Sequence, residues 1–259
     1  MKQKYRETIY GKDYRKWKFS GCNNCAKCCN GSHFLIGDIF YSEIAKLFQL
    51  FPIIFHISND ILMLKIVFTL EQHIPCIYFN ADNKKCLIYQ KIRPMACREF
   101  PFYLIPDNNS ATFFKNDAVE YDCFCPSVKS CEQGIPIFDS SLSLSEQFMQ
   151  TFIGNEGLKE PIQDQNIIHD FLYTLLRFKL LTRKPFLIDI PEKPFLPPYE
   201  IDIITIDEIK LKSLSDKDLS ELHSLGFMYS INQHLSSLQL FQKQYMHLYN
   251  IKTSLNKAN

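Results

Sequence analysis

Beyond Cys131, the last of its ten cysteines, the 259-residue chain has none. Its eight glycines never form Gly-x-Gly or Gly-x4-Gly-Lys-Ser/Thr, which removes dinucleotide-binding and P-loop readings. No long apolar run is present. Leu47–Ile57 is broken by Gln49, Pro52 and His56, and Ile61–Leu70 by Lys65, so neither reaches the roughly 18 residues of a spanning helix. The N-terminus, Met1-Lys-Gln-Lys-Tyr-Arg-Glu-Thr-Ile-Tyr10, carries charge where a secretory signal has an apolar stretch. Net charge is +1, so no global field points to nucleic acid or a membrane surface. Internal repeats and low-complexity segments are absent as well. These absences lead us to expect a soluble, cytoplasmic protein with no membrane span.

What the chain does have is a hydrophobic content of 46% with Phe 22 and Tyr 13, ample for a packed core. Residues 1–20 hold Lys2, Lys4, Arg6, Lys12, Arg15, Lys16 and Lys18 against Glu7 and Asp13, with Tyr5, Tyr10, Tyr14 and Trp17 interleaved. Such a stretch suits an anionic partner, but a solvated arm whose aromatics pack back is the simpler reading.

Periodicity places an amphipathic helix over Asp38–Leu50 and a hairpin from Pro52–Ile57 and Ile61–Leu70 around Ser58-Asn59-Asp60. Pro75–Phe79 and Lys85–Tyr89 flank the turn-rich Asn80-Ala-Asp-Asn-Lys84, a pairing expected to set Cys76 beside Cys86. A short helical turn fits between Pro94 and Pro101, and a short strand over Ala111–Lys115. Past residue 140, helices are predicted over Ser143–Phe152, Pro161–Leu181, Ser215–Leu225 and Phe227–Leu255, the last two parted by Gly226. Pro185, Pro191, Pro194, Pro197 and Pro198 mark Lys184–Tyr199 as an extended connector.

The cysteines carry the chemistry. With no secretory signal, ten of them suggest metal binding or redox work rather than a disulfide framework. Cys22-x2-Cys25-x2-Cys28-Cys29 puts four sulfurs in eight residues, and its triple step matches the run of bacterial ferredoxins. A Cys-Pro completes that run in ferredoxins; Cys125-Pro126 is the candidate here, far along the chain. Adjacent side chains diverge, so Cys28 and Cys29 serve different metals, or one serves none. Cys76, Cys86 and Cys97 supply further thiolates, and spacing leaves open one centre or two. The radical-SAM run Cys-x3-Cys-x2-Cys is not completed after Cys29. His33 and His73 are spare ligands at most, and Cys123 and Cys131 fit a small buried hydrophobe equally well.

The ordered series resembles the YkgJ-like cysteine-cluster family. It runs Cys22-x2-Cys25-x2-Cys28-Cys29, Pro75-Cys76, Cys86-x-Ile88-Tyr89, Arg93-Pro94-x2-Cys97-Arg98-x-Phe100-Pro101-Phe102 and Cys125-Pro126. That family is described as a zinc- or iron-chelating domain and includes the flagellin lysine-N-methylase group. The resemblance spans about residues 20–135 and implies Cys22, Cys25, Cys28, Cys29, Cys76, Cys86, Cys97 and Cys125 as metal ligands. Arg93 and Arg98 are the candidate cofactor-binding residues, their guanidiniums meeting cluster sulfurs or an anionic substrate unless Arg98 pairs with Glu99 or another carboxylate.

The expected fold is therefore α+β: a loop-rich cysteine-cluster metal-binding domain over residues 1–140 with short strands and helices, then a mainly helical region over 141–259. The expected function is binding of an iron–sulfur centre, [4Fe-4S] favoured, or Zn2+. The alternatives are an iron–sulfur-dependent protein-modifying enzyme resembling lysine-N-methylases, with a protein substrate, and a non-catalytic zinc/iron chelating or interaction module. Nothing favours nucleic acid as a partner.

Overall fold

The structure is a computed structural model that describes residues 6–10, 18–19, 29, 35–58, 60–89, 92–99, 102–106, 114–122, 128–129, 135–136, 159–190, 193–194 and 196–258. In chain order the strands are β1 (Arg6–Tyr10), β2 (Lys18–Phe19), β3 (Ile36–Asp38), β4 (Ile53–Ser58), β5 (Ile61–Val67), β6 (Phe79–Asn80) and β7 (Lys85–Cys86). They continue with β8 (Phe102–Pro106), β9 (Phe114–Asp122), β10 (Val128–Lys129), β11 (Ile135–Pro136), β12 (Leu181–Ile188) and β13 (Tyr199–Ile206). The helices are α1 (Ile44–Leu47), α2 (Met95–Glu99), α3 (Lys159–Arg177), α4 (Glu208–Lys212), α5 (Asp216–Ser224), α6 (Phe227–Ser237) and α7 (Leu240–Ala258). The chain is α+β, and every strand pairing among the described residues is antiparallel.

A five-stranded sheet of order β12-β13-β4-β5-β3 forms the frame. β4 (Ile-Ile-Phe-His-Ile-Ser) and β5 (Ile-Leu-Met-Leu-Lys-Ile-Val) are largely apolar runs, so the middle of the sheet presents apolar groups to both faces. Ile53, Phe55, Leu64, Ile66 and Ile206 pack on one side with α1, with Phe171 and Leu175 of α3, and with Phe227 and Ile231 of α6. On the other side Ile54, Val67, Ile188 and Ile203 meet Phe241, Tyr245 and Leu248 of α7. Full burial of one such side chain contributes about 2 kcal/mol, which is why a sheet covered on both faces holds this chain together. Further small sheets have the orders β1-β9-β8, β10-β2-β11 and β6-β7.

The β4–β5 hairpin forms as the sequence suggests, with Ser58 opposite Ile61 and Asp60 at φ 62° in the turn. Three expectations fail for identifiable reasons. Asp38–Leu50 is not one helix: Ile36–Asp38 joins the sheet opposite Lys65–Val67, and only a 3-10 turn at Tyr41–Glu43 and α1 follow. Pairing with β5 and burial of Ile39, Ile44 and Leu47 override the helical spacing. Phe227–Leu255 is two helices, because Ser237 Oγ donates to the His234 carbonyl (2.6 Å) and accepts the Ile53 amide of β4 (2.9 Å). The helix is thereby tied to the sheet where it turns. Finally, the proline-rich stretch is extended as expected, but through Ile188 it is a paired sheet strand and not a connector, and the C-terminal region adds β12 and β13 to its helices. Pro185 is tolerated because β12 is an edge strand, and with the Arg183–Asp202 ion pair (2.6 Å) it blunts that edge against further pairing. The expected helix at Ser143–Phe152 lies outside the described residues.

No helix among the described residues is long and apolar enough to cross a membrane.

Candidate functional site: a groove beside the edge strand

Cys22, Cys25, Cys28 and Cys125, with Cys123, Cys131 and His33, lie outside the described residues. Cys29, Cys76, Cys86 and Cys97 are half-buried, and the last three flank the core around Phe51 and Phe68. The β6–β7 register sets Phe79, not Cys76, opposite Cys86. Cys76 instead donates its amide to the Cys29 carbonyl (2.8 Å) and accepts the Phe79 amide (2.8 Å). His73 is exposed, at φ 64°.

Cys97 sits on α2, which is docked by one carboxylate. Glu43, only 7% exposed, accepts the amides of Phe40 (3.0 Å) and Met95 (3.2 Å) and Nη2 of Arg98 (2.8 Å). Burial pushes the Glu43 carboxyl above its usual range, against the opposing pull of Arg98 and the backbone amides. Arg93 lies 4.3 Å over the Tyr89 ring and donates to the Cys97 carbonyl. Here both guanidiniums hold α2 in place, Arg98 through its ion pair with Glu43.

A concave feature of the described surface lies elsewhere. A groove of about 210 Å³ runs between the end of β12 and the α6–α7 junction. Phe186, Leu187, Ile188, Leu235 and Leu238 line it with apolar surface. Its polar groups are Glu208, Gln239 and Gln242. Glu208 opens α4, whose preceding Asp207 caps the helix by accepting the amides of Ile209 and Lys210 (both 3.1 Å). Gln242 Nε2 donates to the Asp189 carbonyl (2.8 Å), so its acceptor Oε1 is the end turned away from Asp189. The polar lining is one carboxylate and two carboxamides.

Behind the groove, α6 is locked to the sheet. His234 Nε2 is 2.9 Å from Thr205 Oγ1, and its ring centroid is 4.8 Å from that of Phe55. Burial drives this imidazole down to about 4, a little offset by the backbone of Ile53, so it is neutral at pH 7. The helix thus holds its place by a neutral hydrogen bond and packing, and Leu235 and Leu238 are presented on a rigid support.

None of the groove residues stood out in the sequence. Phe186 and Ile188 alternate as a strand should, but five nearby prolines disguised that signal. Glu208 adjoins an Asp cap, which marks a helix start and not a binding site.

No curated protein and no solved structure matches the chain. A family model does match, over residues 11–243, and it is SapC. This overturns the resemblance to the YkgJ-like cysteine-cluster family, and with it the implied kinship to lysine-N-methylases. The metal-binding reading goes too: the family match points elsewhere, and no three His, Cys, Asp or Glu among the described residues gather to hold a metal ion. By a match over most of its length, the chain belongs to the SapC family.

Proposed function

We propose that this protein is a recognition domain whose groove takes one lysine or arginine side chain of a partner protein. The observation that carries the reading is the groove's composition: apolar walls with one carboxylate, Glu208, among the lining residues. A lysine or arginine side chain has the complementary form, an aliphatic stem with a cation at its tip. Size supports the same class. Pockets for drug-sized molecules and cofactors run from about 300 to 1,000 Å³, and this one, at about 210 Å³, suits a single side chain. An aliphatic residue alone would leave Glu208 without a charge partner, and an acidic one would be repelled by it. No step of this reading passes through the cysteines.

The experiment is amide chemical-shift mapping with acetyl-Ala-Lys-Ala-amide and acetyl-Ala-Arg-Ala-amide, titrated to tens of millimolar. The expected result is saturable shifts at Leu187, Leu238 and Gln239, with the weak affinity usual for one side chain. Shifts scattered over the surface, or none at these residues, would overturn the reading.

A further inference from the structure

The opposite kind of surface lies on the β6–β7 hairpin and the chain that follows it. Leu87 is 57% exposed, Tyr89 45% and Ile92 38%, so three large apolar side chains face solvent within six residues. Leu87 and Tyr89 are not loosely held. Ile88, between the first two, is buried in the main core, and Leu87 donates its amide to the Tyr78 carbonyl (2.8 Å). Tyr78 is itself fixed, its hydroxyl donating to the Leu50 carbonyl (3.0 Å) and its ring edge-on to Phe51 (5.1 Å). The hairpin tip is equally set. Asn80 Oδ1 accepts the amides of Asp82 (3.0 Å) and Asn83 (3.2 Å), and Asn83 Oδ1 accepts that of Lys85 (3.0 Å). Leu87 and Tyr89 are thus displayed by a preorganised scaffold, which lowers the entropy cost of binding.

The charge around them has one dominant sign. Lys84 and Lys85 project from the tip, and Arg93 covers the Tyr89 ring, with Asp82 as the opposing charge. We infer that this face docks an acidic segment of a partner protein that also carries aliphatic or aromatic side chains. Leu87 and Ile92 decide the class of partner. Aliphatic side chains are desolvated by other apolar side chains and gain little from a sugar–phosphate backbone, and a single exposed tyrosine is a poor stacking platform for successive bases. Acidic groups on the partner would meet Lys84 and Lys85 at the rim, where they speed and orient encounter. This face attracts anions and the groove attracts cations, so the two fail or succeed separately.

The test is fluorescence anisotropy of a labelled peptide of alternating Glu and Leu, against one of alternating Gln and Leu. The intact protein should bind the acidic peptide at least tenfold more tightly. Leu87→Ser and Lys85→Glu should each weaken that binding at least fivefold, with far-UV circular dichroism and melting temperature unchanged. Equal binding of the two peptides, or undiminished binding by both folded variants, would overturn the inference. So would oligo-dT or phosphatidylglycerol vesicles displacing the peptide at lower concentration than unlabelled peptide does.

Discussion

His234 makes stability pH-dependent in a direction that the structure fixes. Its imidazole is buried beside Phe55 and Thr205, with a native pKa of about 4 against an ordinary value of 6.5. Below pH 6.5 the unfolded chain takes up a proton at this position that the folded chain refuses. The contribution is therefore complete above pH 6.5 and is lost progressively as pH falls toward 4. Each pH unit in that window costs about 1.4 kcal/mol, and the whole window roughly 3 kcal/mol. The assay is urea unfolding followed by circular dichroism at pH 7.5, 6.5, 5.5 and 4.5, on the protein and on His234→Gln. Glutamine cannot titrate, and its amide nitrogen can still reach Thr205. Groups common to the two proteins cancel in the difference, including Glu43 and Asp164, whose raised carboxyls act in the opposite sense. The difference should shrink by about 1.4 kcal/mol per unit below pH 6 as the protein loses its advantage. A difference that stays constant with pH would refute the argument.

Two further substitutions probe the docking of α2. A Cβ at Gly37 would stand 2.5 Å from the Phe68 ring and 2.7 Å from the Ala96 Cβ, so Gly37→Ala should cost about 1–3 kcal/mol in urea unfolding. Arg98→Met removes the charge partner of buried Glu43 and should cost roughly 2 kcal/mol at pH 7, tempered because Arg98 is 29% exposed. That loss should be smaller at pH 5, since a carboxyl with a raised native pKa regains stability as it protonates.

Where the sequence was legible, local signals agreed with the tertiary structure. The β4–β5 hairpin combines a run of β-branched residues with Asp60 in the turn, and α5 begins at a Ser215 cap whose hydroxyl accepts the Asp218 amide (3.2 Å). Gly226 parts α5 from α6 because its φ of 75° suits glycine. Where it was not legible, a long-range partner decided the outcome. Ile36–Asp38 is a strand because β5 needs a neighbour, and Ser237 interrupts a helical pattern because an amide 184 residues away needs an acceptor. Dense cysteine spacing drew attention to a metal site, yet spacing says nothing about where residues such as Cys76 and Cys86 face each other, and the register sets Phe79 there instead. The groove was hidden for the same reason: its walls come from β12, α4, α6 and α7, brought together only by the fold.

The central claim rests on Glu208, and one comparison isolates it. Affinities of acetyl-Ala-Lys-Ala-amide and its norleucine counterpart, of the same length without the charge, are measured by shift titration on the protein and on Glu208→Gln. A partly exposed ion pair contributes up to about 1 kcal/mol, or roughly fivefold in affinity. The account predicts a lysine preference of about that size in the protein and near-equal affinities in the variant. A preference unchanged by Glu208→Gln, or its absence from the protein at low salt, would contradict it.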